Sequence, residues 1–208
     1  MYKKKSFFIV FEGVEGTGKS YQIAKLYKNL KNKKYNIIKT REPGGSKTAE
    51  KIRNLIFSKK SNNFDSLTDF YLMCAARNEH INKFLIPAKK QKKIIICDRF
   101  TDSTYAYQVI GNGIDKNFND YNQNYIIKNY KPNLVIVLKS TFKTIFSRIK
   151  KRKKINKFDK LNINFYKKAQ NAFIERAKKK KNYHIFDSSQ NTSVLEKEIL
   201  KLVIKKLK

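Results

Sequence analysis

The run Gly13-Val14-Glu15-Gly16-Thr17-Gly18-Lys19-Ser20 constrains this chain more than any other stretch. It follows the apolar run Phe7-Phe8-Ile9-Val10-Phe11 and precedes an amphipathic segment. That order predicts a buried strand, a glycine loop and a helix starting near Lys19. Glycine lets the backbone turn tightly, so several N–H groups can face one anion. The helix N-terminus adds partial positive charge. Lys19 can reach the β- and γ-phosphates of a nucleotide, and the Ser20 hydroxyl can bind Mg²⁺. Gly13, Gly16, Thr17 and Gly18 supply the rest of a nucleoside-triphosphate cradle. A chance glycine turn is the bland alternative, and it does not account for the strand before and the helix after.

The 208 residues are expected to form a single domain, 1–208, with a substantial core. Short apolar runs recur at 7–11, about 35–39, 94–97, 134–138 and 183–186. Each is β-branched or aromatic and bounded by polar residues, which suits strands buried on both faces of a parallel sheet. Between them lie segments long enough for crossover helices: 18–32, 46–57, 66–90, 102–128, 141–152 and 160–180. A last helix is expected over 192–207. The alternation implies an α/β fold, a doubly wound parallel five-stranded sheet flanked by helices. The basic stretch Lys150-Lys151-Arg152-Lys153-Lys154 joins two helical segments. It reads either as a solvated turn or as a mobile basic flap, at about 148–160, carrying charge over phosphates.

Net charge is +32, from 48 basic and 16 acidic residues. Such a balance points to nucleic acid, anionic lipid or phosphorylated small molecules. The lysines are scattered, and Lys, Asn, Ile, Tyr and Phe are all residues that AT-rich codons favour. A dedicated nucleic-acid surface is therefore not expected. The two cysteines, Cys74 and Cys97, have neither metal-ligand spacing nor the number for a disulfide framework. That usage suits a reducing cytoplasm. No apolar stretch approaches the ~20 residues of a membrane span.

Ligands in such folds bind beyond the carboxyl ends of the strands. Thr40-Arg41-Glu42-Pro43-Gly44-Gly45-Ser46 and Asp98-Arg99-Phe100-Thr101-Asp102-Ser103 therefore fall on the rim that carries the glycine loop, as does Lys139-Ser140-Thr141. Asp98, at a strand tip, can hold Mg²⁺ beside Ser20. Arg99 offers a forked guanidinium to a phosphate. Equally, Asp98 and Arg99 could cap the next helix and pair with each other. No nucleophile–base arrangement suggests covalent catalysis, and neither His80 nor His184 is given an acid–base role.

Phe11–Ser20 resembles the opening of thymidylate kinases, and Arg41-Glu42-Pro43-Gly44-Gly45-Ser46 is similar to that family's Arg-Glu-Pro-Gly-Gly-Thr block. Asp98-Arg99-Phe100 through Ala106-Tyr107-Gln108 resembles its Asp-Arg-aromatic to Ala-Tyr-Gln block. Ala75-Ala76-Arg77 with Glu79-His80 resembles its thymine-reading helix, and Phe186-Asp187-Ser188-Ser189-Gln190 its loop near the adenine. The blocks span nearly the whole chain in the family order. The resemblance implies a nucleoside-monophosphate kinase fold, transfer of the ATP γ-phosphoryl group to dTMP in dTTP synthesis, Mg²⁺ as cofactor and a homodimer. It implies that Lys19 and the loop hold ATP, with Gln190 near the adenine, and that Ser20 and Asp98 serve the metal. Arg99 would bridge the donor and acceptor phosphates, Arg53 would clamp the acceptor phosphate, and Glu15 would lie near the sugar 3′-hydroxyl or its metal. Arg77 would meet a thymine carbonyl, Gln108 or Thr104 would read the base edge, and Tyr107 would exclude a 2′-hydroxyl. The bland alternatives are an ion pair with Glu79 for Arg77 and core packing for Tyr107.

Three departures from the family pattern stand out. Met73 occupies the thymine-stacking position, usually Phe, so base tolerance could be broader. In the flap, the usual Asp-Arg-apolar-Glu is Asn156-Lys157-Phe158-Asp159, which leaves the transferring charge to Lys157, Arg152 or both. Gly111-Asn112-Gly113 replaces Gly-Arg-Gly, and Lys139 replaces an aspartate. The competing reading is a non-catalytic basic nucleotide- or nucleic-acid-binding protein derived from a kinase.

Overall fold

A computed structural model describes residues 5–58, 64–152 and 157–208, with the side chains of Lys157 and Lys160 excepted. The five apolar runs pair as parallel strands: β1 (Phe7–Glu12), β2 (Ile37–Arg41), β3 (Ile94–Asp98), β4 (Leu134–Lys139) and β5 (Tyr183–Asp187). Their spatial order is β2-β3-β1-β4-β5, so β1 and its loop sit at the centre. Register is set by the alternation of side chains between the two faces. Phe11 lies opposite Asp98 on one side and Ile136 on the other. Arg41 lies opposite Asp98, which brings two tips of the sheet together.

One face buries Ile9, Phe11, Ile94, Ile96 and Ile136 under α1 (Lys19–Asn32) and α9 (Thr192–Leu207). Ile23, Leu26 and Leu30 project from α1, and Leu195, Ile199 and Val203 from α9, each set at helical spacing. The other face buries Phe8, Val10, Ile95, Cys97 and Val137 under Ile81 and Leu85, which follow α3 (Ser66–His80), and under α4 (Ile86–Lys90), α7 (Phe142–Lys150) and α8 (Ile163–Lys178). The doubly wound α/β arrangement expected from the alternating pattern is therefore observed. α2 (Lys47–Phe57) packs beside α3.

The structure corrects three expectations. β2 and β5 are edge strands and only half-buried, so burial on both faces holds for β1, β3 and β4 alone. β2 begins at Ile37 and not near 35, because Tyr35 N donates to Leu30 O and still belongs to the turn that ends α1. The 102–128 segment is not one helix. It divides into α5 (Thr101–Thr104) with a π turn at Tyr105–Val109, and α6 (Lys116–Ile127). Gly113 turns the chain at a φ of 77°, and Asp115 then caps α6 by accepting from Phe118 N at 2.7 Å. The expected 66–90 helix is continuous, but a π turn at Ile81–Leu85 carries α3 into α4 ahead of Pro87, which has no N–H to give.

Candidate active site

The loop after β1 closes tightly on its neighbours. Gly16 has a φ of 76°, and a Cβ there would lie 2.7 Å from Ile145 O of α7. Only glycine fits both demands. Gly18 forms the N-cap of α1 without a side-chain cap, and no acidic residue occupies the first turn. The first N–H groups of α1 are thus left for an anion. Thr17 Oγ1 donates to Val14 O at 2.7 Å and fixes the loop from within. Lys19 is buried, and its ammonium donates to Gly13 O at 2.7 Å and Val14 O at 2.9 Å. Burial, and then the nearby charge of Arg99, push its pKa down to about 8. A phosphate brought beside it would reverse that shift.

Asp98 does not pair with Arg99. Its Oδ2 accepts from Ser20 Oγ at 3.3 Å, and its buried Oδ1 has no hydrogen-bond partner among the described residues. A serine hydroxyl beside a carboxylate with an unused oxygen is a hard-oxygen donor pair that fits Mg²⁺. Among the described residues there is no cluster of three His, Cys, Asp or Glu, so any such ion would complete its shell with water and phosphate oxygens.

Arg99 sits at a φ of 73°, a region that costs a non-glycine residue about 1–3 kcal/mol. That conformation turns its guanidinium into the cleft. Nη2 donates to Glu15 Oε1 at 2.6 Å and Nη1 to Ser103 Oγ at 2.9 Å. The Tyr107 hydroxyl donates to the other oxygen of Glu15. Burial opposes the Arg99 charge, but Glu15, Tyr107 and Asp98 outweigh it, and the pKa rises above its ordinary value. Burial likewise works to raise the Glu15 pKa. Arg99 and Lys19 more than offset it, and the carboxyl lies below its usual value.

The α5 start is not capped by Asp98 or Arg99 either. Phe100 N donates to Glu12 Oε1 at 2.7 Å, and Ser103 Oγ to Glu12 Oε2 at 2.6 Å. Glu12 is fully buried, and burial, with Asp102 adding to it, pushes its pKa from 4.5 to about 8. The folded chain therefore holds a proton that the unfolded chain has released between these values. Stability is expected to fall as pH rises from about 5 to about 8. Glu12→Gln, which keeps the neutral shape, should flatten that fall in urea melts taken across the range.

The far end of the cleft is lined by Met73, Arg77, Thr104, Tyr107 and Gln108, with Phe57, Phe100 and Phe158. Arg77 is buried, and Glu79 is not its partner. Nε donates to Glu42 Oε2 at 2.7 Å, Nη1 to Gln123 Oε1, and Nη2 to Phe100 O at 3.0 Å. Three of five N–H bonds are thereby used, and two remain. Gln108 is buried, and its Nε2 has no partner among the described residues. Arg53 donates to Pro43 O at 2.7 Å, and its guanidinium lies 4.6 Å from the Phe57 ring centre. Six cations, Lys19, Arg41, Arg53, Arg77, Arg99 and Arg152, face three carboxylates around this cleft.

Residues 153–156 of the expected flap lie outside the described residues, as does the side chain of Lys157. Arg152 does line the cleft, with Nη1 2.7 Å from Asp159 Oδ1. Gln190 is exposed and is not brought into the cleft. Its loop meets the phosphate loop through Arg148, which donates to Gly16 O at 3.2 Å and to Ser188 O at 2.9 Å. Lys139 forms a half-exposed pair with Asp187 at 3.6 Å. Glu12, Glu42 and Gln123 were also not foreseen as site residues. Glu12 and Glu42 stand within or beside the two motifs, but no sequence signal marks Gln123.

A parallel sheet with a phosphate loop after its central strand, opening on a cation-lined cleft, defines a phosphate-loop protein of the nucleoside-monophosphate kinase type. The sequence model of the family described as thymidylate kinase matches residues 11–199. A protein of Aster yellows witches'-broom phytoplasma, named thymidylate kinase, is 40% identical over 205 residues, covering 97% of this chain and 96% of its own. One of Acholeplasma laidlawii with the same name is 35% identical, covering 96% of this chain and all of its own. The crystal structure of thymidylate kinase from Ehrlichia chaffeensis superposes with a TM-score of 0.79 at 32% identity, over 96% of this chain and 99% of that one. The chain belongs to the thymidylate kinase family.

Proposed function

We infer that this chain transfers the γ-phosphoryl group of ATP to dTMP, giving dTDP. The observation that carries the reading is a single cleft with Lys19, Ser20 and Asp98 at one end, Arg77, Thr104 and Gln108 at the other, and Arg99 between them. Two polyanions must meet with the attacking oxygen in line, so positioning and charge neutralisation dominate. Lys19 and the loop amides hold the ATP phosphates. Ser20 and Asp98 hold Mg²⁺, which would supply charge neutralisation at the transferring phosphates. Arg99 spans the donor and acceptor phosphates, and Arg53 holds the acceptor. Glu15 orients Arg99 and, with Tyr107, faces the sugar. Arg77, Gln108 and Thr104 read the base against Met73. Gln190 serves the adenine end, in a loop that Arg148 ties to Gly16.

The experiment is ADP release with Mg²⁺-ATP and dTMP, against no-acceptor, dUMP and Mg²⁺-free controls. Release that needs dTMP supports the reading. Folded protein that binds ATP without dTMP-dependent release would favour the non-catalytic alternative, and equal rates with several deoxynucleotides a broader kinase. Arg152 is the described flap cation that reaches the cleft. Arg152→Ala is expected to lower kcat about 10²-fold, as loss of one transition-state cation does. An unchanged rate would assign that charge to Lys157.

The protein is read as one domain, cytoplasmic and homodimeric. Both cysteines are free and buried, which fits a reducing compartment. Among the described residues no helix is long and apolar enough to cross a membrane. Exposed Leu67 and Tyr71 on α3, with Phe118, Tyr121 and Tyr125 on α6, offer an apolar face to a second copy. Light scattering at micromolar concentration distinguishes one copy from two.

A further inference from the structure

The carboxylate of Glu42 faces two ways. Oε2 accepts from Arg77 Nε at 2.7 Å, while Oε1 lies 2.8 Å from His80 Nδ1. A carboxylate can only accept, so His80 carries its proton on Nδ1. The other ring nitrogen, Nε2, is 2.7 Å from Thr40 Oγ1 on β2. His80 is completely buried, and Glu42 and Arg77 are nearly so. Arg77 and His80 stand three residues apart on α3, hence on one face of the helix. The His80 ring stacks on Phe84, with centres 5.5 Å apart. On its other side is Gly45, with a φ of +87°, where a Cβ would collide with Thr40 Oγ1 and lie 2.6 Å from the His80 ring. The second glycine of the Glu-Pro-Gly-Gly turn thus leaves room for the Thr40–His80 contact.

The chain of contacts Thr40–His80–Glu42–Arg77 has a chemical consequence at the cleft. Glu42 lines the cleft, yet each of its oxygens already has a donor behind or beside it. Arg77 is held by Glu42, Gln123 and Phe100 O, and what it has left to offer is N–H alone. Beside Arg77, therefore, the free groups are donors, and the one carboxylate of this end is occupied.

We propose that Thr40 and His80 are positioning residues for base specificity: by keeping Glu42 engaged, they leave the free N–H groups of Arg77 to meet a pyrimidine carbonyl with no free carboxylate oxygen beside them, and so exclude a pyrimidine with an amino group there. The proposal rests on the reading of this cleft as the dTMP site. Thymine and uracil present a carbonyl at ring position 4, and cytosine presents an amino group. An amino group facing Arg77 sets donor against donor, and a site built to hydrogen-bond one such group rejects the other strongly. Burial works to raise the Glu42 pKa, but Arg77 and His80 more than offset it, so the carboxyl lies below its ordinary value and stays ionised. If His80 lets go, Glu42 Oε1 becomes a free acceptor beside the base, which is what an amino group needs.

The test is steady-state ADP release by the full chain with dTMP, dUMP and dCMP at saturating Mg²⁺-ATP. The variants are His80→Leu, Thr40→Val and His80→Asn. His80→Leu is expected to raise KM for dTMP about tenfold and Thr40→Val about threefold, as loss of one hydrogen bond does. Both should leave kcat and KM for ATP within about twofold, and both should shift kcat/KM toward dCMP relative to dTMP. His80→Asn keeps an N–H for Glu42 and should restore most of the preference. Should His80→Leu fail to fold, Thr40→Val, isosteric and only half-buried, carries the test. A dTMP-to-dCMP ratio unchanged in Thr40→Val, in an enzyme whose wild type uses dTMP, overturns the proposal alone. A wild type with no dTMP-dependent release overturns the underlying reading as well.

Discussion

Replacing Lys19 with alanine is expected to lower kcat for transfer to dTMP by about 10³-fold, the scale of losing a preorganised charge at a phosphoryl-transfer site. The ammonium lies buried at the phosphate-loop end of the cleft, held by Gly13 O and Val14 O. Burial, and then the charge of Arg99, push its pKa down to about 8 against the pull of Asp98, Glu15 and Glu12, and further negative charge beside it would oppose that shift. Polyphosphate brings such charge, so the interaction strengthens as charge builds on the transferring group. The loop amides and the α1 N-terminus remain in the variant, and ATP affinity should fall far less than turnover. Stability should hardly change, because removing the ammonium also removes the cost of burying it. Rates from ADP release, ATP affinity by calorimetry and a melting curve separate the three effects. A near-normal rate in Lys19→Ala would remove the phosphate loop from the mechanism.

Arg99→Ala is expected to damage both turnover and folding. Arg99 and Glu15 are a buried pair at 2.6 Å, with side chains 16% and 8% exposed. Removing one partner leaves the other as an uncompensated buried charge, at a cost of about 3–5 kcal/mol. Ser103 also loses its guanidinium donor, although its bond to Glu12 remains. Turnover should fall about 10³-fold as the forked cation held in the cleft by Glu15 and Ser103 is lost. The double variant Arg99→Ala, Glu15→Gln distinguishes the two losses. Its melting temperature should recover much of the way, because the stranded charge is gone, while its rate should stay low. Recovery of rate with stability would reduce Arg99 to a structural partner of Glu15.

Much of this molecule was legible along the chain because the relevant physics is local. The strand, glycine loop and helix at 7–32 follow from apolar run, turn chemistry and periodicity, all within one segment. The same holds for α9, found over the very span its helical spacing predicts. Misread elements had signals that two principles contested. In 102–128 an apolar periodicity runs through Gly111-Asn112-Gly113, and the turn and the Asp115 cap won. The edge position of β2 and β5 depends on strand order, which no single run encodes.

What the sequence determined by itself was which chemistry stands at each strand tip: the loop lysine, the Asp98-Arg99 pair of positions, the Glu-Pro-Gly-Gly turn, and the reading helix with Arg77. Only the tertiary structure decided who pairs with whom. Asp98 turned to Ser20, Arg99 to Glu15, and Arg77 to Glu42 and Gln123, across separations of 78, 84, 35 and 46 residues. A motif records which groups are present. Pairing of buried charges is set by which tips the parallel register brings side by side, because each must find a partner once water is excluded.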